Sequence, residues 1–211
     1  MAGVSGPGGR RTRQRDHDRT AKAAALARLV YREATDITEE YKQKMDLGDD
    51  LPADRVDGVP PSSSLAQDGP VSERLKLVSV ALRSLHVLLG TVVLEQQEEF
   101  SPADGAFHSK LEALLSRLGD LSDGLGLLLL ETGGVTAGDK DAPPSSPSAS
   151  SSSSFSRKVR GYCVLRELSA WALRAHQELR SGGAGTGGNA EGSGAPGGRR
   201  AQARRLRHRR I

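Results

Sequence analysis

Four blocks of helical periodicity, joined by two long connections and one short one, constrain this chain more than any other feature. Block A, about 18–46, carries apolar residues at Leu26, Leu29, Val30, Ile37 and Tyr41. Block B, about 71–99, carries Leu75, Val78, Leu82, Leu85, Leu89 and Val92. Block C, about 103–131, carries Phe107, Leu111, Leu114, Leu118, Leu121, Leu125 and Leu128. Block D, about 155–180, carries Leu165, Leu168, Ala172, Ala175 and Leu179. The steps are three and four, the period of a helix and not of a strand. Helices of these lengths run roughly 40 Å. Only a few residues around Phe100–Ala103 separate B from C, so these two form an antiparallel hairpin. The connections 47–70 and 132–154 are each long enough to span roughly 75 Å when extended. That length returns the chain along a whole helix and starts the next at the same end. Long–short–long therefore predicts an all-α, long-chain four-helix bundle with up-up-down-down topology. A plain up-down bundle with ornamented loops is the alternative.

Composition agrees. Aromatic residues make up 3% of the 211-residue chain. Strands of sandwiches and barrels favour aromatic and β-branched residues, so those folds are disfavoured. A single cysteine, Cys163, excludes an internal disulfide framework and a cysteine-based metal site. Cys163 and Trp171 both read as parts of the packed side of helix D. Ser101-Pro102-Ala103-Asp104 reads as a capping box opening block C. Arg180-Ser181-Gly182 reads as the stop of block D. Gly119, Gly124 and Gly126 oppose helix late in block C, so an irregular end is expected there.

The net charge of +4 first suggests a partner that is polyanionic. Its distribution says otherwise. The final RRAQARRLRHRRI holds seven arginines and no acid, and without it the chain is at −3. The first nineteen residues add a further net +3, which leaves residues 20–198 at about −6. The bundle is acidic and does not attract phosphate backbones. Residues 1–17 read as a disordered basic segment, 18–180 as the bundle, and 181–211 as a Gly-rich linker with an Arg-rich tail. The tail alone could hold heparan sulfate, RNA or another polyanion. A nucleic-acid or polyanion binder with a helical body is thus one alternative function, and an apolipoprotein-like lipid-binding bundle is another.

The N-terminus lacks the apolar run of a secretory signal. The longest run of large apolar residues, Leu127–Leu130, is far short of the roughly 18 residues that cross a bilayer, so no membrane insertion is expected. The five histidines show no i,i+4 or HExxH pairing, so no metal site follows. No GxSxG, P-loop or dinucleotide fingerprint is present. Glu95, Glu98 and Glu99 read as an exposed face and not a catalytic pair. No cofactor and no enzyme activity are expected.

The blocks SERLKLVSVALRSLHVLLGTVVLEQQEEFSPADGAFHSKLEALL and FSRKVRGYCVLRELSAWALRAHQELR resemble the ciliary neurotrophic factor family, within the interleukin-six group of cytokines. LARLVYREATDITEEY and DRVDGVP follow the same pattern. The resemblance covers about residues 18–180. Cardiotrophins are similar at the Phe-x-x-Lys start of the last helix but less so across block B and the B–C turn. The resemblance implies a neurotrophic cytokine that supports neuronal survival and differentiation. It implies a cytoplasmic store, released without a signal peptide to act outside the cell. It implies three partners: ciliary neurotrophic factor receptor α, leukaemia inhibitory factor receptor and the shared interleukin-six signal transducer. Phe155 and Lys158, three apart on the first turn of block D, match the family's signalling-receptor site. Arg28, Ser169, Arg174, Gln177 and Arg180 match the α-receptor face. Family members carry a tryptophan in the A–B loop and a cysteine early in helix A. Here Ala66 and Thr20 stand near those places.

Overall fold

The computed structural model describes residues 8–49, 51, 56–64, 69–131 and 153–184. They form four long helices: α1 (Gly8–Lys44), α2 (Val71–Glu95), α3 (Gly105–Glu131) and α4 (Ser154–Ala184). A π-helical turn, Gln96–Phe100, prolongs α2, and a 3-10 turn, Ser62–Ser64, lies in the A–B loop. No strand occurs among the described residues.

Every lateral neighbour is antiparallel. The end of α1 meets the start of α3 through Lys44–Asp104, and the start of α1 meets the end of α3 through Arg19–Glu131. The start of α2 meets the end of α4 through Arg74–Glu178 at 2.8 Å, and the end of α2 meets the start of α4 through Arg160–Glu95. Along α1 and α4, Ala24 sits beside His176 and Tyr41 beside Gly161. The helices α2 and α3 form the short-loop hairpin, with Gly119 beside His86. The parallel pairs, α1 with α2 and α3 with α4, therefore lie across the diagonals. This is the up-up-down-down bundle.

The core is aliphatic, as the composition requires. Leu82, Leu85 and Leu89 of α2 interleave with Leu111, Leu114, Leu118, Leu121 and Leu125 of α3, all fully buried. Small residues (Ala23, Ala24, Ala27 and Ala34 on α1; Gly161, Ala172 and Ala175 on α4) let those two helices approach closely.

Helix ends differ from the sequence expectation in four places. First, α1 begins at Gly8, well before residue 18, so the stretch expected to be disordered is helical from there. Gln14 donates to Asp18 one turn on, which supports the extension. Second, Ser101 is not the cap of α3. Asp104 is, its Oδ1 accepting from the Phe107 N–H at 3.1 Å. The Pro102–Ala103 pair instead makes a turn closed by Asp104 N–H to the Ser101 carbonyl, 2.9 Å. Third, α3 runs unbroken through Gly119, Gly124 and Gly126 to Glu131. The leucine face at 118, 121 and 125 outweighs the glycine propensity cost. Fourth, α4 passes Gly182 and ends at Ala184.

The C-terminus of α1 closes with paired bonds. The Leu47 N–H donates to the Lys42 carbonyl, and the Asp46 N–H to the Gln43 carbonyl. Asp46 takes φ 53°, the left-handed conformation such a cap requires, and Leu47 is buried.

Asp104 gives a pH test. The Lys44 ammonium, and then the Phe107 N–H, hold its carboxyl below the usual aspartate range. A depressed folded value means stability that is present above the unfolded value and lost as pH falls through the folded one. Asp104→Asn retains a capping oxygen and flattens that acid limb. Asp104→Ala lowers the thermal midpoint at neutral pH. Thermal denaturation between about pH 2 and 7 checks both.

Candidate functional site

The start of α4 is built by its own serines. Ser153 caps the helix, accepting from the Ser156 N–H on its hydroxyl at 3.2 Å and from the Arg157 N–H on its carbonyl at 3.1 Å. Phe155 follows and stands in solvent, 61% exposed. It does not fold back to plug the bundle end. Lys158, one turn on, is half-buried, its ammonium 5.6 Å from the centre of the Phe100 ring. Arg157 lies over the same ring at 5.4 Å and pairs with Glu99 at 2.6 Å. Phe100 is thus a platform holding two cations beside one exposed aromatic ring.

The π-turn presents that platform. Its wider winding turns Gln96 into the core, where the side chain is fully buried. Gln96 Nε2 donates to the Tyr41 hydroxyl at 3.4 Å and faces Met45 sulfur at 3.5 Å, while its Oε1 accepts from Ser101 at 2.9 Å. Burial pushes the Tyr41 hydroxyl far above the ordinary tyrosine range. That hydroxyl lies against Gly161. A Cβ there would stand 2.8 Å from Tyr41 Cζ and closer still to the oxygen. Gly161→Ala therefore costs about 1–3 kcal/mol of stability despite its helix propensity, read as a lower urea midpoint with unchanged slope. Tyr41→Phe in the Ala background recovers part of the loss, since it removes the oxygen that clashes.

The second group lies on the α1/α4 side. The register that sets Ala24 beside His176 puts Arg28 level with the Ala172–Arg174 turn. Arg28, Gln177 and Arg180 are exposed, and Ser169 and Arg174 half-buried. The Ser169 hydroxyl donates to its own helix, to the Arg166 carbonyl at 2.8 Å. Arg180 lines a shallow recess of about 190 Å³ with His17, Thr20, Ala21, Ala24 and Leu179. The A–B loop packs nearby. Val56 and Val59 are buried, Gly58 turns at φ 78°, and the Trp171 indole N–H donates to the Pro60 carbonyl at 3.0 Å. Trp171 is fully buried and Cys163 nearly so, both inward-facing as expected. Ala66, the Ser-rich loop and the Arg tail lie outside the described residues.

No group of three potential metal ligands occurs among the described residues. The helix Val71–Phe100 is long and apolar enough by composition to cross a membrane, which the short individual runs had concealed. Its inner side is core.

The family model for ciliary neurotrophic factor matches residues 8–196, a span containing all four helices and both long connections. The chain belongs to the ciliary neurotrophic factor family. It is similar to ciliary neurotrophic factor of Oryctolagus cuniculus, 31% identical over 157 residues, 74% of this chain and 77% of the relative. It is 30% identical to those of Sus scrofa and Homo sapiens, over 77% of this chain and 82% of each relative. The family match starts at the residue where α1 starts.

Sequence reading missed Phe100, Tyr41 and Gln96 as the supports of the Phe155–Lys158 turn. One signal was available. Gly161 stands between Val159 and Cys163 inside a predicted helix, and a glycine inside a helix often has a packing reason.

Proposed function

We propose that this chain is a neurotrophic cytokine that acts by bringing receptor subunits together and catalyses no reaction. The observation that carries the proposal is the exposed Phe155 beside Lys158, held on the Phe100 platform, in a chain of the ciliary neurotrophic factor family. An aromatic side chain left in solvent beside an anchored cation has the character of an interface hot spot. The start of α4, with Phe155 and Lys158, is the surface for leukaemia inhibitory factor receptor. Arg28, Ser169, Arg174, Gln177 and Arg180, with the A–B loop, form the surface for ciliary neurotrophic factor receptor α. The outer faces of α1 and α3 meet the shared interleukin-six signal transducer. These surfaces lie on different sides of the bundle, so three receptors fit without competing. The protein is stored in the cytoplasm and released to act outside the cell, where the bundle does not insert into membranes. The Arg-rich tail holds heparan sulfate or a similar polyanion and is separable from signalling.

Binding of the full chain to the three purified receptor ectodomains, singly and together, tests the proposal. A complex containing all three is the expected result. Failure to bind any of them overturns it. Deletion of 199–211 leaves that complex intact and abolishes heparin retention. Loss of the receptor complex on that deletion would favour a polyanion binder instead.

A further inference from the structure

The turn Gln96–Phe100 has two ways to wind. The Ser101 N–H reaches back to the Gln96 carbonyl at 3.0 Å, whereas an α-helix would send it to the carbonyl of Gln97. That N–H is bonded in either winding, so it does not choose between them. The choice matters for Phe100. Winding as an α-helix carries Phe100 and Ser101 part-way round the helix axis, and takes the ring away from the cations of α4.

One side chain favours the wider winding. Gln96 is fully buried, and its amide is bonded at both ends. Its Oε1 accepts from the Ser101 hydroxyl at 2.9 Å, so the side chain closes the same turn that the Gln96 carbonyl closes. Its Nε2 donates to the Tyr41 hydroxyl at 3.4 Å and faces the Met45 sulfur at 3.5 Å, which ties the turn to the end of α1. In α winding Ser101 moves off and a buried amide oxygen loses its donor, which is costly. The other end of the turn holds the platform. Phe100 offers its ring to Arg157 at 5.4 Å and to Lys158 at 5.6 Å, and Glu99 pairs with Arg157 at 2.6 Å.

We propose that Gln96 is a positioning residue for the receptor surface at the start of α4: its buried amide latches the turn in the π winding and so fixes the Phe100 ring against Arg157 and Lys158. The inference rests on the reading of that surface given above. Gln96 touches no receptor itself. A chain latched only about a tenth of the time binds a receptor there about tenfold more weakly, and the α-receptor surface is unaffected.

The double variant Tyr41→Phe, Gln96→Leu removes both partners of the core bond together. It leaves neither a buried amide nor a tyrosine hydroxyl unpaired, so the bundle folds with nearly the parent's thermal midpoint. Two readouts then apply to the full chain. In NMR spectra the Lys158 methylene protons beside the ammonium carry the ring-current shift of Phe100, and Phe100→Leu gives their position without it. The double variant should move them most of the way to that position. Its affinity for the leukaemia inhibitory factor receptor ectodomain should fall about tenfold, with α-receptor binding unchanged. Ser101→Ala breaks the Oε1 bond from a half-buried position and is read in the same two ways should the double variant unfold. Parental Lys158 shifts overturn the latch, as does parental affinity or an equal loss at both ectodomains. A parent chain that binds neither ectodomain counts against the receptor reading instead, and the Lys158 shifts then decide the latch alone.

Discussion

The Phe155→Ala, Lys158→Ala double variant is expected to lose signalling by at least two orders of magnitude while binding an α-receptor ectodomain nearly as the parent does. Phe155 is 61% exposed, so its truncation opens no cavity and leaves the bundle's stability nearly unchanged. What it removes is aromatic area that a partner would bury. At about 25 cal/mol per Å², the 150–250 Å² of a phenylalanine corresponds to an upper figure of roughly 4–6 kcal/mol. Actual hot-spot losses of 2 kcal/mol or more already exceed tenfold in affinity. Lys158 adds a fixed positive charge, its ammonium 5.6 Å from the Phe100 ring centre. Lys158→Arg keeps the charge and the ring contact and should retain most activity. Phe100→Leu keeps apolar packing but removes the π face, and should lower signalling less than the double variant does. Dose–response in a responsive cell line, beside ectodomain binding, separates the surfaces. A double variant that signals normally overturns the assignment of the start of α4.

The topology was legible because it follows from lengths. A connection of a few residues around Phe100–Ala103 permits only a hairpin, and two connections of helix length permit a return to the same end. The core face was legible because leucine spacing alone orients α2 and α3. The exposure of Phe155 was only half legible, since a ring just ahead of the stripe that begins with the buried Val159 could equally fold back over the bundle end, and the family resemblance chose between the two. Features that depend on two distant segments were not. The Gln96–Tyr41 bond joins residues 55 apart, and the contact of Tyr41 with Gly161 joins the first block to the last. No local propensity encodes either. The cap of α3 was misplaced for a local reason. Ser101 and Asp104 are both good capping residues, and the Pro102–Ala103 turn, not propensity, chooses between them. The glycines of α3 mislead in the opposite direction, since packing of the buried Leu118, Leu121 and Leu125 overrides a local cost of about 1 kcal/mol each.

Trp171→Ala should be the most destabilising single change in the bundle, at about 3–5 kcal/mol. The side chain is fully buried in α4 and is the chain's single tryptophan. Its removal leaves a cavity that the neighbouring Ala172 and Ala175 are too small to fill. The whole domain has only some 5–15 kcal/mol to lose, so the variant stands near the folding threshold at 37 °C. Trp171→Phe separates two contributions. It refills most of the volume but lacks the indole N–H that donates to the Pro60 carbonyl at 3.0 Å. Its cost should be near 1–2 kcal/mol, the scale of one lost hydrogen bond plus imperfect packing. The difference appears in the A–B loop. With Pro60 released, the buried Val56 and Val59 lose a tether to α4, and amide exchange there should quicken in Trp171→Phe before the helices respond. Circular dichroism in urea measures the global term for both variants, and tryptophan fluorescence in the parent supplies the matching midpoint. Since the loop belongs to the proposed α-receptor surface, Trp171→Phe should weaken ciliary neurotrophic factor receptor α binding and spare the start of α4. An equal loss at both surfaces would show that the tryptophan acts only through global stability.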